Sequence, residues 1–152
     1  MKGYSYEFKE GETVAKARGK ELHISPKHSM EICRALSGKK VESAKKYLES
    51  VIAKEQPVPF KRYVRCIPHK RGPGFGAGRY PVKAAKAILR VLSDAEANAE
   101  YSGLDTDNLV IRHIVADKGH TWKGWMPRAH GRSTAKDRES VNIEVIVSEA
   151  GE

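Results

Sequence analysis

From Pro26 to Ala99 the apolar residues recur at three- and four-residue spacing; after Leu109 they alternate with polar ones. The first pattern belongs to helices and the second to strands. Ser25 is placed to cap a first helix and Pro26 suits its first position, where a missing N–H leaves nothing unpaired. Met30, Ile32, Cys33 and Leu36 form its apolar stripe, and Ser37-Gly38 ends it. A second helix carries Val41, Ala44, Leu48, Val51 and Ile52 and stops before Pro57. A third begins around Pro81, carries Val82, Ala85, Leu89, Leu92, Ala95 and Ala99 on one face, and stops at Gly103. Then the period halves. Leu109, Ile111, His113 and Val115 alternate with Val110, Arg112 and Ile114. Val141, Ile143, Val145 and Val147 alternate more cleanly with Asn142, Glu144, Ile146 and Ser148.

The simplest assembly is an antiparallel pair of strands covered by three helices, an α+β class domain. The 152 residues fit a single domain, long enough to bury a core without staples. Near the start, Tyr4, Tyr6 and Phe8, then Val14 and Ala17, alternate loosely and suggest one or two short strand-like pieces. Two segments fall outside either period. QPVPFKRYVRCIPHKRGPGFGAGRYP, residues 56–81, holds five prolines and carries Gly72, Gly74, Gly76 and Gly78. It is expected to be a loop without regular structure. GHTWKGWMPRAHGRSTAKDRE, residues 119–139, separates the two strands, although a hairpin connection normally takes two to five residues.

Charge gives these segments a meaning. The chain carries a net charge of +9, a surplus that strains a compact protein and favours an anionic partner. Residues 56–93 contain no acid, while Lys61, Arg62, Arg65, Lys70, Arg71, Arg79, Lys83, Lys86 and Arg90 are all basic. Asp94, Glu96, Glu100, Asp105 and Asp107 follow at once. A merely solvated surface mixes the signs; segregation marks a polyanion footprint. No stretch has the length and apolar content to span a bilayer, so membrane insertion is not expected. MKGYSYEFKEGE has no secretory leader character, and two distant cysteines, Cys33 and Cys66, point to reduced thiols in an intracellular chain.

Other chemistries have weaker support. KRGPGFGAGRYP is glycine-rich but lacks both the Gly-Lys-Ser/Thr ending of a P-loop and the dinucleotide spacing. Its glycines instead let backbone approach a phosphate chain that Lys70, Arg71 and Arg79 neutralise. Cys66-Ile-Pro-His69 offers two zinc ligands where a structural site needs four, and Cys33 belongs to an apolar stripe, so no metal or cofactor is expected. His120 and His130, with Asp137 to orient one of them, are an acid–base pair on paper. They sit in a segment with no packing to fix their geometry, so no catalytic residues are assigned.

In the long excursion, Lys123, Arg128, Arg132, Lys136 and Arg138 face only Asp137 and Glu139. Trp122, Trp125 and Met126 are costly apolar exposure for a plain solvent loop. Arginines interleaved with tryptophan and histidine rings, His130 included, suit RNA, whose phosphates and unstacked bases take both. If the strands continue toward a tip near residues 127–131, each arm of about ten residues reaches about 33 Å beyond the sheet. Such a finger, about residues 117–140, has no core of its own and needs a partner to hold it.

The pattern Met126-Pro127-Arg128-Ala129-x-Gly131-Arg132 between basic arms, closed by Val145-Ile146-Val147, resembles a universal large-subunit ribosomal protein family. It is the family numbered twenty-two in bacteria and seventeen in eukaryotes. Ser25-Pro26-Lys27, Gly38-Lys39-Lys40-Val41 and the alanine-rich third helix before Leu104-Asp105 extend the resemblance over nearly the whole chain. The insert 57–81 and Trp122-Lys123-Gly124-Trp125 depart from bacterial members, and the insert resembles the archaeal and eukaryotic branch. The resemblance implies three helices on a three-stranded antiparallel sheet, the third strand coming from residues 14–24, with one long protruding hairpin. It also implies a structural constituent of the cytoplasmic ribosome that binds large-subunit ribosomal RNA, aids its assembly and touches neighbouring ribosomal proteins. Trp125, Met126, Pro127, Arg128, Ala129, Gly131 and Arg132 would form a tip in the exit-tunnel wall, in transient contact with the nascent polypeptide. Outside this resemblance, a non-ribosomal RNA-binding regulator and an RNA-processing enzyme remain the alternatives.

Overall fold

The computed structural model describes residues 4–6, 13–72 and 76–149, so Phe8 and Gly74 lie outside the described residues. In chain order the elements are β1 (Val14–Leu22), α1 (Pro26–Leu36), α2 (Val41–Ile52), β2 (Val58–Pro59), β3 (Gly78–Arg79), α3 (Val82–Tyr101), β4 (Leu109–Trp122), β5 (Trp125–Pro127), β6 (Ser133–Ala135) and β7 (Arg138–Glu149). Short 3-10 turns stand at Thr106–Asn108 and Ala129–Gly131. The main sheet has the order β1-β7-β4, antiparallel throughout.

The helices form where the period placed them. Pro26 opens α1 and Gly38, at φ +76°, follows its end. The expected Ser25 cap differs in detail. Ser25 takes the extended cap backbone, but its side chain makes no cap hydrogen bond; the Ser29 hydroxyl instead donates to the Ser25 carbonyl at 2.9 Å. On α3 the buried stripe runs through Ala84, Ala85, Ile88, Val91, Leu92, Ala95 and Ala99. Val82 and Leu89 are only half-buried, because 100° per residue carries them to the edge of that stripe. Gly103, at φ +79°, lies just beyond the helix end, a conformation that costs glycine little.

The sheet corrects two expectations. β7 is the central strand, and Glu144, Ile146 and Ser148 are buried as fully as Val145 and Val147. α1 and α3 cover one face. On the other face, the Ser5 N–H and hydroxyl both donate to Glu144 at 2.9 Å, and Arg18 pairs with its second oxygen at 3.2 Å. The alternation in β7 is therefore between two buried faces. In β4 the strict alternation fails because the register shifts between Ile111 and His113. The extra residue resets the phase, so Ile111, Ile114 and Ala116 are buried while His113 and Val115 are half-buried. The outer edge of β4 is closed by the α1–α2 link: Gly38 N–H donates to the Ile111 carbonyl at 3.1 Å, and Ile111 N–H to the Lys39 carbonyl at 2.9 Å.

β1 is the third strand that the family resemblance implied. It pairs with β7 from Val14↔Ser148 to Leu22↔Val141 and breaks register between Gly19 and Leu22, where Glu21 takes φ +49°. The expectation that residues 56–81 hold no regular structure is also corrected. β2 pairs with β3, Val58 opposite Arg79 and Pro59 opposite Gly78, and Phe60 N–H donates to the Ala77 carbonyl at 2.9 Å. Val58 and Phe60 are buried in the core, so the loop is clamped at its base.

Candidate nucleic-acid interface

An acid-free loop has backbone donors to satisfy and no carboxylate of its own. Glu31, on α1 and almost wholly buried, supplies the acceptor. Its carboxylate takes the backbone N–H groups of Lys61 at 3.2 Å, Arg62 at 2.7 Å and Tyr63 at 2.9 Å, and Arg34 lies 3.7 Å away. Burial alone would push this carboxyl up. The three N–H donors and Arg34 outweigh burial and hold it below its usual 4.5. One carboxylate thus fixes the turn from which Lys61, Arg62 and Arg65 point to solvent.

Of the six loop cations expected to bind RNA, Lys61, Arg62, Arg65, Arg71 and Arg79 are exposed and Lys70 is half-buried. Among the described residues none of them forms an ion pair with a carboxylate. Two of them are steadied by rings instead: Arg62 lies 5.6 Å from the Tyr63 ring centre and Lys70 5.1 Å from that of Tyr80, and Lys27 on α1 joins them, 5.8 Å from Tyr63. Lys27, Arg62, Arg65 and Arg79 meet around a cleft of about 290 Å³ floored by Phe60, Tyr63 and Ile67. His28 lines the same cleft, and burial, with Arg79 nearby, holds its imidazole below the usual 6.5. Clustered, unpaired cations with no acid between them are what a phosphate chain requires.

Helix α3 carries the charge segregation in one element. Lys83, Lys86 and Arg90 are exposed on its first half, and Asp94 and Glu100 on its second. Its first turn has no acid and its last turn no base. That order opposes the helix dipole, which favours acids at the N-terminus by about 0.3–1 kcal/mol each. Local stability does not explain the arrangement. A polyanion facing one end of the helix would.

The finger is a continuation of β4 and β7. Their pairing runs out to Trp122↔Arg138, and β5 and β6 resume it with Trp125↔Ala135, Met126↔Thr134 and Pro127↔Ser133. Between the two ladders Lys136 N–H donates to the Gly124 carbonyl at 2.7 Å. A Cβ on Gly124 would stand 2.8 Å from the Lys136 carbonyl oxygen, so only glycine allows this approach without displacing backbone. Near the root, Gly119 lies against Ser140, whose hydroxyl donates to the His120 carbonyl at 3.0 Å across the register shift. At the tip Arg128 N–H donates to the Arg132 carbonyl at 2.8 Å, and His130 and Gly131 both take left-handed backbone, φ +56° and +64°. The Arg128 Nε donates to the Thr134 hydroxyl at 3.1 Å.

Lys123, Arg128, His130, Arg132, Lys136 and Arg138 are all exposed, as are Trp125, Met126, Pro127, Ala129 and Gly131. The two tryptophans separate. Trp125 is 71% exposed, whereas Trp122 folds back on the body, its ring 4.9 Å from His23 and 4.9 Å from His120. His120 is thereby a packing partner, and His130 sits at the tip. Sequence reasoning missed Glu31, Lys27, His23 and Ser140. Only Glu31 had a signal: an acid-free loop must borrow its acceptors from elsewhere.

Cys33 is a core side chain, and its burial pushes the thiol up to about 12. Cys66 is exposed and its carbonyl accepts from Arg79 at 3.3 Å. Among the described residues no helix is long and apolar enough to cross a membrane.

Comparison with known proteins gives this architecture relatives. The family model described as "Ribosomal protein L22p/L17e" matches residues 17–148. The chain is 55% identical over 136 residues to "Large ribosomal subunit protein uL22" of Methanothrix thermoacetophila, covering 89% of this chain and 90% of that protein. It is 54% identical over 140 residues to the protein of the same name from Methanopyrus kandleri, covering 91% and 88%. For that of Methanocaldococcus jannaschii the identity is 52% over 139 residues, covering 91% and 89%. The matched span takes in most of β1, the three helices, the insert and both arms of the finger, and on that breadth the chain belongs to the ribosomal protein L22p/L17e family.

Proposed function

We propose that this chain is a structural constituent of the large ribosomal subunit, without catalytic activity, that works in the cytoplasm by binding ribosomal RNA. The observation that carries the reading is the finger: a paired, exposed, cationic hairpin with no buried face of its own, at the basic end of a domain whose charges are segregated. Phosphates would be neutralised by Lys61, Arg62, Arg65, Lys70, Arg71 and Arg79 on the loop. Lys123, Arg128, His130, Arg132, Lys136 and Arg138 would do the same along the finger. A hairpin threaded between RNA helices ties distant segments together, which is how such a protein aids assembly. Neighbouring ribosomal proteins would meet the body.

The tip, Trp125 to Arg132, would then border the path of the nascent polypeptide. Consecutive left-handed residues at His130-Gly131 turn the chain within a small radius and leave Met126 and Trp125 outward. The salt dependence of binding to large-subunit RNA tests the main reading. Log K should fall linearly with log salt, each neutralised phosphate adding about 0.7–0.9 to the slope. A flat response, or failure to co-sediment stoichiometrically with the large subunit on a sucrose gradient, would overturn it. For the tip, a cysteine at Ala129 in a Cys66→Ser background should crosslink to a stalled nascent chain; crosslinks to RNA alone would remove the tunnel assignment and leave RNA binding intact.

A further inference from the structure

A cleft of about 820 Å³ opens at the root of the finger, where the turn after β1 meets the start of α3 and the returning arm. Its lining differs in kind from the all-basic cleft under the loop. Trp122, 37% exposed, contributes to it, with the His23 ring tilted 43° against the indole. Lys83 and Arg138 supply cations, and Asp137 and Glu139 supply carboxylates. Glu139 is engaged by Lys118 at 2.6 Å, while Asp137 is exposed and forms no ion pair among the described residues.

Two carboxylates beside two cations make this a poor place for a phosphate alone, without a base to face the acids. An exposed indole, an uncommitted carboxylate and nearby cations are together what a nucleobase with its attached phosphate requires. Among the four bases guanine alone offers two adjacent N–H donors, N1–H and N2–H, on its Watson–Crick edge. A carboxylate accepts both with its two oxygens, and one bearing a full charge does so strongly. We propose that the finger-root cleft takes one unpaired guanosine nucleotide of the bound RNA, its base against Trp122, its edge on Asp137 and its phosphate by Lys83 and Arg138. The proposal rests on the RNA-binding reading above.

The test uses the full chain carrying Trp125→Phe, which leaves Trp122 as the sole indole. Addition of 5′-GMP should quench its fluorescence saturably, about fivefold more tightly than AMP, CMP or UMP, the worth of one extra net hydrogen bond. Asp137→Asn, a change at an exposed position, should leave the melting temperature unchanged and bring the four nucleotides within about twofold. All four carry the same phosphate. Equal responses from all four, or a guanine preference that survives Asp137→Asn, would therefore overturn the pocket. Filter binding of large-subunit RNA by the same variants separates the two readings. No guanine preference in the Trp125→Phe protein, with intact, salt-dependent RNA binding, removes only this inference, whereas salt-independent RNA binding removes the functional reading beneath it.

Discussion

The strands β4 and β7 pass through two regions that share a backbone pattern and little else. In the body, Ile111↔Val147, Ile114↔Val145 and Ala116↔Ile143 pair in a sheet whose central strand is buried on both faces. In the finger, β5 and β6 continue the antiparallel ladder with Met126↔Thr134, and every residue of both is exposed. The hydrogen-bonding geometry is of one kind, so hydrogen bonds cannot account for the difference in support. A two-stranded ladder without an apolar face is marginal in water, while buried aliphatic side chains contribute about 1.5–3 kcal/mol each. One pair of strands is therefore held by two agents, the protein's own core at one end and, on the reading proposed above, bound RNA at the other.

The contrast is broken most forcefully from the core side. Ile143→Ala should lower the unfolding free energy by about 2–5 kcal/mol in urea titrations, through lost burial and the cavity left behind. Arg132→Ala, at the exposed tip, should stay within about 0.5 kcal/mol of the parent. Equal losses from the two changes would mean that the finger belongs to the cooperative core.

Glu31 joins the two regimes, since it is a core residue whose work is done in the basic loop. Glu31→Gln keeps the shape but removes the charge and one of two acceptor oxygens, and should cost about 1–3 kcal/mol at neutral pH. The sign of its pH dependence follows from a folded-state pKa held below 4.5. The stabilisation is complete above the unfolded value and is lost as pH falls through the folded one. The gap between parent and variant should therefore close as titrations move down from the unfolded value of 4.5 through the lower folded-state one. A gap that persists in acid would assign Glu31 a packing role only. Hydrogen exchange at the Lys61, Arg62 and Tyr63 amides should quicken in the variant, because those are the donors that it releases.

What the sequence made legible follows the same division. The helices were legible because burial imposes a period, and Leu36, Leu48 and Leu92 keep it; β7 was legible as a strand but not as one buried on both faces. β1 was vague because the shift between Gly19 and Leu22 interrupts its alternation, and β4 was mis-phased past Ile111 for a similar reason. A bulge is one residue of backbone with no side-chain signature. Glu144 on β7 looked like an outward polar residue; its burial depends on Arg18 and Ser5, more than a hundred positions away. The finger was legible by the opposite route. Its cations and rings make no sense as a solvent loop, so the misfit itself pointed to a partner. Whether a tryptophan there served the partner or the fold was not legible, because it depended on His23 lying across the root to receive Trp122.

The smallest effect on stability is expected where the two agents divide most sharply, at Gly124→Ala. The new Cβ meets the Lys136 carbonyl at 2.8 Å, so the arms must part locally and weaken the Lys136–Gly124 hydrogen bond. Overpacking of this kind costs about 1–3 kcal/mol wherever the surrounding structure is obliged to hold the original geometry. In the free protein no core imposes that geometry on the finger, so the arms relax and the melting temperature should not move. On the proposed function, bound RNA would impose it. The same local cost should then surface as an RNA affinity about fivefold to a hundredfold weaker, with an unchanged salt slope because no cation has been lost. A shifted melting temperature with unaltered affinity would reverse the assignment and make the finger's geometry a property of the chain alone.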